Sequence, residues 1–371
     1  MINSRFPICD FMDSTPNPYI FSKKIRNILD LKGFNEIFLD NKSIPNMGYF
    51  ITSNYSIIVY DKKDTKDSVV ITSQMDHVGF MTNHKLEVLG NKHFISLLEV
   101  GSVDINSFFN TDLRFSGYYT TKENRIYEYD SQTGIASIIA SKDDYKSSRI
   151  EKVSDLKAFC GNNSFLLNNN DDICSSQIYV TGASKTKEIG GSICGPYVKG
   201  RSSVYCALDA FLSSKSDSNT RILCMFNDNN LDSHGQHLQT FLKLANISLN
   251  TPIIIDLINH NTTNDDEPIS HVSVNEKLSD EYDCQVAFLN QISKKCGISL
   301  NYLQALFTIK SSGLSISPRI GVSAFRLSVP VIKSDSPIQR IAKKNLDNLK
   351  TVLEFIYSNN NNFYSKLLNS Q

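Results

Sequence analysis

The chain contains no tryptophan, no pair of cysteines at C-x-x-C spacing and no excess of either charge. Its 38 basic residues balance its 38 acidic residues, so bulk electrostatics gives no reason to expect a nucleic acid or an anionic membrane as partner. No apolar run approaches the ~20 residues that cross a bilayer, and residues 1–20 lack the continuous apolar core of a secretion signal. The sequence therefore gives no indication of a membrane-spanning protein, a secreted protein or a protein that binds polyanions through bulk charge, and it favours a globular protein.

The cysteines stand singly along the chain, and several lie in apolar runs, such as Cys224 in RILCMF. Buried free thiols are typical of proteins in a reducing compartment, so we expect a soluble, cytoplasmic protein. The 371 residues are enough for two domains of the usual ~100–200 residues each.

Apolar periodicity predicts helices at both ends of the chain. In residues 19–34, Phe21, Ile25 and Leu29 recur at helical spacing, and Gly33 stands where a C-terminal cap belongs. A second apolar stripe predicts a final helix over residues 338–357.

Between these helices, strand-like and helix-like segments alternate. Near-continuous apolar runs that end in polar residues predict strands covered on both faces, as in a mostly parallel sheet; they are 221–228, 251–257 and 324–332, and a helical pattern covers 202–212. We therefore expect an α/β fold with a mostly parallel (mixed) sheet flanked by helices, whose sites gather at the carboxyl ends of strands.

The middle of the chain has a different pattern. Residues 83–190 hold short β-like runs and polar patches with little helical period, which predicts an inserted, β-rich domain. The α/β domain is then expected to comprise residues 1–82 and 191–371.

Several segments resemble, in order, the aspartyl aminopeptidase family of zinc metallopeptidases. The opening matches a Pro-x-Pro-aromatic element, a helix ending in Gly-Phe and a Tyr-Phe-x-Thr-x-Asn strand. The matching segments are FMDSTPNPYIFSKKIRNILDLKGFNEIF, GYFITSNYSIIVY, FNTDLRFSG, GPYVKGRSSVYCALDAF, FNDNNLDS, IIIDLINH, VSVNEKLSDEYD and VPVIKSDSPIQR. The resemblance implies a catalytic α/β domain interrupted by a β-rich dimerisation domain, two zinc ions, removal of N-terminal acidic residues from peptides, and large symmetric homo-oligomers.

The resemblance also places the family's metal ligands, and the first of them is changed. In ITSQMDHVGF, the family's His-x-Asp element aligns with Gln74-Met75-Asp76, so a neutral amide replaces the histidine ligand while Asp76 remains. Asp76 is also consistent with a strand-end acid that caps a turn.

The bridging ligand and the general base are changed as well. The family's bridging Asp aligns with Lys199, and its Glu-Glu pair of base and ligand aligns with Asn229 and Asn230. An amide cannot take a proton from water, so the base is missing. A shift of one residue would place Asp228 at the base position and leave an Asn as ligand.

The remaining ligand positions keep carboxylates. Asp256 matches the family's metal-binding Asp at the end of a strand, and Asp335 aligns with its last His. Asp335 is equally consistent with an N-cap for a helix that starts near Pro337. Ile20 stands where the family has a His, so the family's preference for acidic substrates does not carry over.

These residues favour a catalytically inactive relative that acts as a homo-oligomer or as the partner of an active paralogue. Our hypothesis is that Asp76, Asp256 and Asp335 converge on one cleft in which Lys199 replaces the metal charge, so that no cofactor is expected. One alternative is an active metallopeptidase that binds zinc through those acids with Asp228 as base, which requires Lys199 to point away. Another is a peptide-binding module that uses the cleft without cleaving.

Overall fold

The structure is a computed structural model of the chain. It describes residues 6–13, 17–38, 44–64, 67–75, 79–82, 86–89, 92–100, 103–108, 111–123, 125–131, 138–139, 157–159, 173–215, 219–227, 231–249, 251–274, 280–305, 312, 316, 319 and 324–358.

The helices of this part of the chain are α1 (Ile8–Met12), α2 (Pro18–Leu31), α3 (Ile105–Phe108), α4 (Val198–Ser213), α5 (Leu231–Leu244), α6 (Asp280–Cys296) and α7 (Lys343–Ser358). Helix α2 confirms the predicted N-terminal helix. The side chain of Asn17 caps it by accepting a hydrogen bond from the Ile20 amide at 3.2 Å. Gly33, with φ of 82°, follows its last turn.

The strands are β1 (Asn35–Glu36), β2 (Met47–Ile51), β3 (Ile57–Asp61), β4 (Asp67–Gln74), β5 (Gly79–Thr82), β6 (Leu86–Leu89), β7 (Lys92–Ser96), β8 (Leu98–Val100), β9 (Leu113–Thr121), β10 (Ile126–Ser131), β11 (Ile138–Ile139), β12 (Lys157–Phe159), β13 (Ile173–Gly182), β14 (Lys187–Ile189), β15 (Ser192–Gly195), β16 (Thr220–Phe226), β17 (Thr251–Thr262), β18 (Ser270–Val274), β19 (Asn301–Ala305), β20 (Ala324–Ile332) and β21 (Gln339–Ala342).

A 12-stranded mixed sheet organises the α/β part, in the order β1-β2-β3-β16-β4-β17-β20-β21-β15-β14, with β18 and β19 attached beside β20. Its centre, β16-β4-β17-β20, is parallel. One face packs Ile71 and Leu257 with residues of α2, α4 and α7. The other face packs Val70 and Ile254 with residues of α5. The expected α/β fold, a mostly parallel mixed sheet flanked by helices, is confirmed.

Strands from residues 79–182 form two smaller antiparallel sheets, in the orders β10-β9-β13-β5-β8 and β11-β12-β7-β6. This range overlaps the insert expected at residues 83–190, whose boundaries and dimerisation role remain predictions. None of the helices that the structure describes is long and apolar enough to cross a membrane.

Two predicted boundaries are wrong. The final helix begins at Lys343, because Gln339–Ala342 form β21 and pair with β15. Ile338, expected on the helical stripe, is 48% exposed just before that strand. Strand β17 continues past Asp256 to Thr262, where it pairs with the end of β20. Asp256 therefore lies within a strand.

Candidate functional site

The approach to α4 contains an irregular loop. Lys199 has extended backbone angles (φ −62°, ψ 135°), and Gly200 has φ of 78° and ψ of −63°, so the regular helix begins after Gly200. Such a positive φ is far more accessible to glycine than to residues with a Cβ. Lys199 therefore lies just outside the regular helix.

The Lys199 ammonium group meets the carboxylate of Asp335. Lys199 Nζ lies 2.8 Å from Asp335 Oδ1, and the two side chains are 29% and 31% exposed. The hydroxyl of Ser334 donates a further hydrogen bond, of 3.1 Å, to the same oxygen. A hydrogen bond between two ionised groups is stronger than one between neutral groups, although partial exposure to water weakens the attraction.

Two side-chain amides hold the loop against the edge of the sheet. The Lys199 amide N–H donates to Gln339 Oε1 at 2.7 Å, and Gln339 Nε2 donates to the Ser334 carbonyl at 3.0 Å. The Gly200 N–H donates to Asn259 Oδ1 at 3.0 Å. The backbone on either side of the Lys199 side chain is thereby fixed.

Sequence reasoning missed Gln339 and Asn259. Asn259 carried a weak signal, as a polar residue directly after the apolar run of β17, but Gln339 carried none.

Asp335 does not cap a helix. It lies in the turn between β20 and β21, in which the Ser336 N–H donates to the Lys333 carbonyl at 3.1 Å. Lys333 adopts φ of 53° there, in the left-handed region. The ion pair with Lys199 thus joins this turn to the start of α4.

Asp256 occupies a different position from this pair. It is 1% exposed, and its Oδ1 accepts a hydrogen bond from Thr72 Oγ1 at 2.5 Å. Asp256 and Asn259 are three positions apart on β17 and project from opposite faces, because side chains alternate along a strand. Asp256 therefore lies on the face that packs against α5, whereas Asn259 meets the loop that leads into α4.

The first ligand position also lies at the carboxyl edge of the sheet. Gln74 is the last residue of β4 and is in register with Phe226, the last residue of β16. Asn227 then ties β16 to the turn after β2, since its N–H donates to Ser56 Oγ and its Nδ2 to the Asn54 carbonyl, each at 2.9 Å.

The other predicted site residues, which are Asp76, Asp228, Asn229 and Asn230, lie outside the described residues. Their roles remain predictions, as do those of Gln74, Lys199, Asp256 and Asp335.

The donors that the structure describes do not suit the two zinc ions that the resemblance implies. The ammonium group of Lys199 hydrogen-bonds the Asp335 oxygen that a cation would need, and it would repel a divalent ion placed beside it. Zinc prefers thiolate, imidazole and carboxylate donors, whereas Gln74 offers a neutral amide. Within the described ranges, no group of three or more His, Cys, Asp or Glu side chains is placed to hold a metal.

Solved structures share this architecture. An M18-family aminopeptidase from Thermotoga maritima superposes with a TM-score of 0.78 at 14% identity, over 94% of each chain. The mApe1 dodecamer of S. cerevisiae gives 0.77 at 12% identity, over 98% of this chain and 97% of its own. A chain in a complex of Ape4 and Nbr1 gives 0.81 at 11% identity, over 97% of this chain and 86% of its own.

The chain has the fold of the M18 aminopeptidases. No family model matches its sequence. No curated protein sequence matches it either. With identities this low, the similarity establishes the fold alone, and the chemistry depends on the residues described above.

Proposed function

We propose that this chain is a catalytically inactive protein of aminopeptidase fold, which acts in the cytoplasm as a structural or regulatory homo-oligomer or as the partner of an active paralogue. The observation that carries the proposal is the 2.8 Å ion pair between Lys199 and Asp335. The resemblance assigns both positions to metal ligands, and a cationic side chain at one of them has taken the carboxylate of the other.

The resemblance adds a chemical reason. Hydrolysis at such a site requires a group that removes a proton from water. The resemblance puts Asn229 at that position, and an amide does not accept the proton. A lost base and a lost bridging ligand together explain an inactive protein better than either change alone, because a remaining carboxylate could replace one of them.

The intact apolar frame supports an assembly role. Both faces of the large sheet pack against helices, and the fold is that of the M18 aminopeptidases, whereas the resemblance implies that the metal ligands are substituted. The similar S. cerevisiae structure is a dodecamer, and another similar chain occurs in a complex with Nbr1. A protein that keeps its fold in order to bind other subunits, and no longer needs the metal ligands, would have both the intact core and the substituted site.

The main competing function is an active metallopeptidase that uses Asp76, Asp256 and Asp335 as ligands. That reading requires Lys199 to point away from the acids, but its Nζ hydrogen-bonds Asp335. A peptide-binding module without hydrolysis stays compatible with the same geometry, and it would bind peptides equally well in the presence of a chelator.

Three measurements on the purified full chain test the proposal. After dialysis against zinc, elemental mass spectrometry should find far less than one zinc per chain, and peptides with N-terminal Asp or Glu should remain uncleaved. Light scattering at micromolar concentration should give a multiple of the 41.7 kDa chain mass. If the protein bound one zinc per chain or more and cleaved these peptides, it would not be inactive. If light scattering gave the mass of a single chain, the protein would not be a homo-oligomer.

A further inference from the structure

We infer that Lys199 is an internal cation of this site, with Asp335 as its counter-ion, so that the protein provides by a side chain the positive charge that related sites obtain from a metal. The inference rests on the proposed function, because it explains how the site remains folded without an ion. It predicts that the charge of the side chain at position 199 controls whether this site binds a metal ion.

Lys199 and Asp335 are distant in the sequence and in contact in the structure. The resemblance aligns position 199 with the bridging ligand and position 335 with the last ligand, so both should belong to one centre. They are 136 residues apart in the sequence, and the fold brings their charged ends to 2.8 Å. This contact is the one that a shared centre requires.

Hydrogen bonds hold the backbone around Lys199 in a fixed position. A surface lysine samples many rotamers, and ordering its side chain costs about 1.5–2 kcal/mol of conformational entropy. Here Gln339 and Asn259 hold the backbone of Lys199 and Gly200, and these amides are themselves anchored by Gln339 Nε2 and Asn259 Nδ2 donating to backbone carbonyls at 3.0 and 3.4 Å. These bonds fix the base of the side chain, and the hydrogen bond to Asp335 orients its charged end.

The charges of Lys199 and Asp335 balance each other. The ammonium group of Lys199 compensates the negative charge of the Asp335 carboxylate, and the Ser334 hydroxyl is a second hydrogen-bond donor to it. Reversal of the charge at position 199 would instead place two carboxylates together, an arrangement that repels unless a cation binds between them. Carboxylate oxygens are ligands for zinc and other divalent ions.

The direct test is K199D, measured for zinc content after dialysis and for the shift of Tm when zinc is added. The matched control is K343D, because Lys343 also forms a 2.8 Å ion pair, with Glu188, on an exposed surface. We expect K199D to bind more zinc than K343D or the wild type, because two carboxylates without the ammonium group attract a divalent ion. We expect the Tm of K199D alone to rise when zinc is added. A folded K199D that binds no more zinc than K343D would overturn the inference.

A double-mutant cycle covers the case in which K199D does not fold. K199M keeps an unbranched stem without the charge, and D335N keeps the shape of its partner. Each single change should lower Tm, and the double variant should lose less than the sum of the two. Additive losses would mean that the two charges do not support each other, and the inference would fall.

These outcomes separate the inference from the proposed function. A wild-type chain that binds zinc and cleaves peptides overturns the proposed function, whatever the variants do. An inactive wild type with an additive cycle overturns the inference alone.

Discussion

Asp209 and Lys350 form a 2.5 Å ion pair in the interior, between α4 and α7, with side chains that are 0% and 7% exposed. Glu354, one turn further along α7, lies 3.8 Å from the same ammonium group. Burial raises the pKa of the Glu354 carboxyl, and the nearby Asp209 charge raises it further, against the opposing effect of Lys350. The pair thus connects two helices that cover one face of the sheet.

K350M should destabilise the protein strongly. It leaves Asp209 buried without its cation, and breaking a buried pair by removal of one partner costs roughly 3–5 kcal/mol. The double variant K350M/D209L should lose much less, because the buried charge of Asp209 is removed as well. The free energy of unfolding in urea measures both.

K343M is the control for that experiment. It removes a lysine from the same helix whose pair with Glu188 is exposed, and such pairs contribute at most about 1 kcal/mol. Similar losses for K343M and K350M would contradict the assigned difference between buried and exposed pairs.

T72V should reveal the role of the hydroxyl beside Asp256. Both residues are buried, and the substitution leaves a carboxylate oxygen without the donor that now lies 2.5 Å away. The expected loss is about 1–3 kcal/mol of unfolding free energy. T72S retains the hydroxyl and should lose less. If the two variants lost equal amounts, the hydrogen bond would not be the cause.

Stability at acidic pH should depend on Glu267, which pairs with His260 at 3.0 Å. Burial tends to raise the pKa of Glu267, but hydrogen bonds from Thr262 and His260 outweigh it and lower the pKa below the ordinary 4.5. The resulting stabilisation is fully present above pH 4.5 and is lost as the pH falls through the lower, folded-state pKa.

The E267Q variant tests the direction of this pH dependence of stability. The wild type should exceed E267Q in unfolding free energy near neutral pH, and the difference should shrink at about pH 3, as linkage requires. Urea unfolding of both proteins at the two pH values measures it. A difference that is the same at both would show that the carboxylate charge is not responsible.

G200A should disturb the loop that carries Lys199. The angles of Gly200 are those of the rare γ-turn with positive φ, which is strained for any residue with a Cβ. Strained backbone of this kind costs roughly 1–3 kcal/mol. G33A, at the end of α2, is the comparison variant: Gly33 also has positive φ, so alanine is strained there too, although its Cβ would meet no atom within 4 Å. A neutral G200A would contradict the account of the loop.

The local pattern of apolar residues was sufficient to predict the helices and strands whose apolar period is unambiguous. The strand expected over 324–332 is β20 with the same bounds, and the strand expected over 221–228 is β16, from Thr220 to Phe226. The end of the chain was not predictable in this way. Ile338 and Ile341 have helical spacing, but the segment Gln339–Ala342 hydrogen-bonds to β15, far away in sequence, and becomes a strand.

The sequence by itself determined the fold class and the residue types of the candidate site, because apolar periodicity and side-chain chemistry are local properties. Only the tertiary structure decided which side chains meet. It brought Lys199 to Asp335 across 136 residues, and it placed Asp256 within β17 on the face that packs against α5. Neither result can be predicted from local sequence, since both depend on which strands pair and on the backbone angles of the loop that positions the side chain.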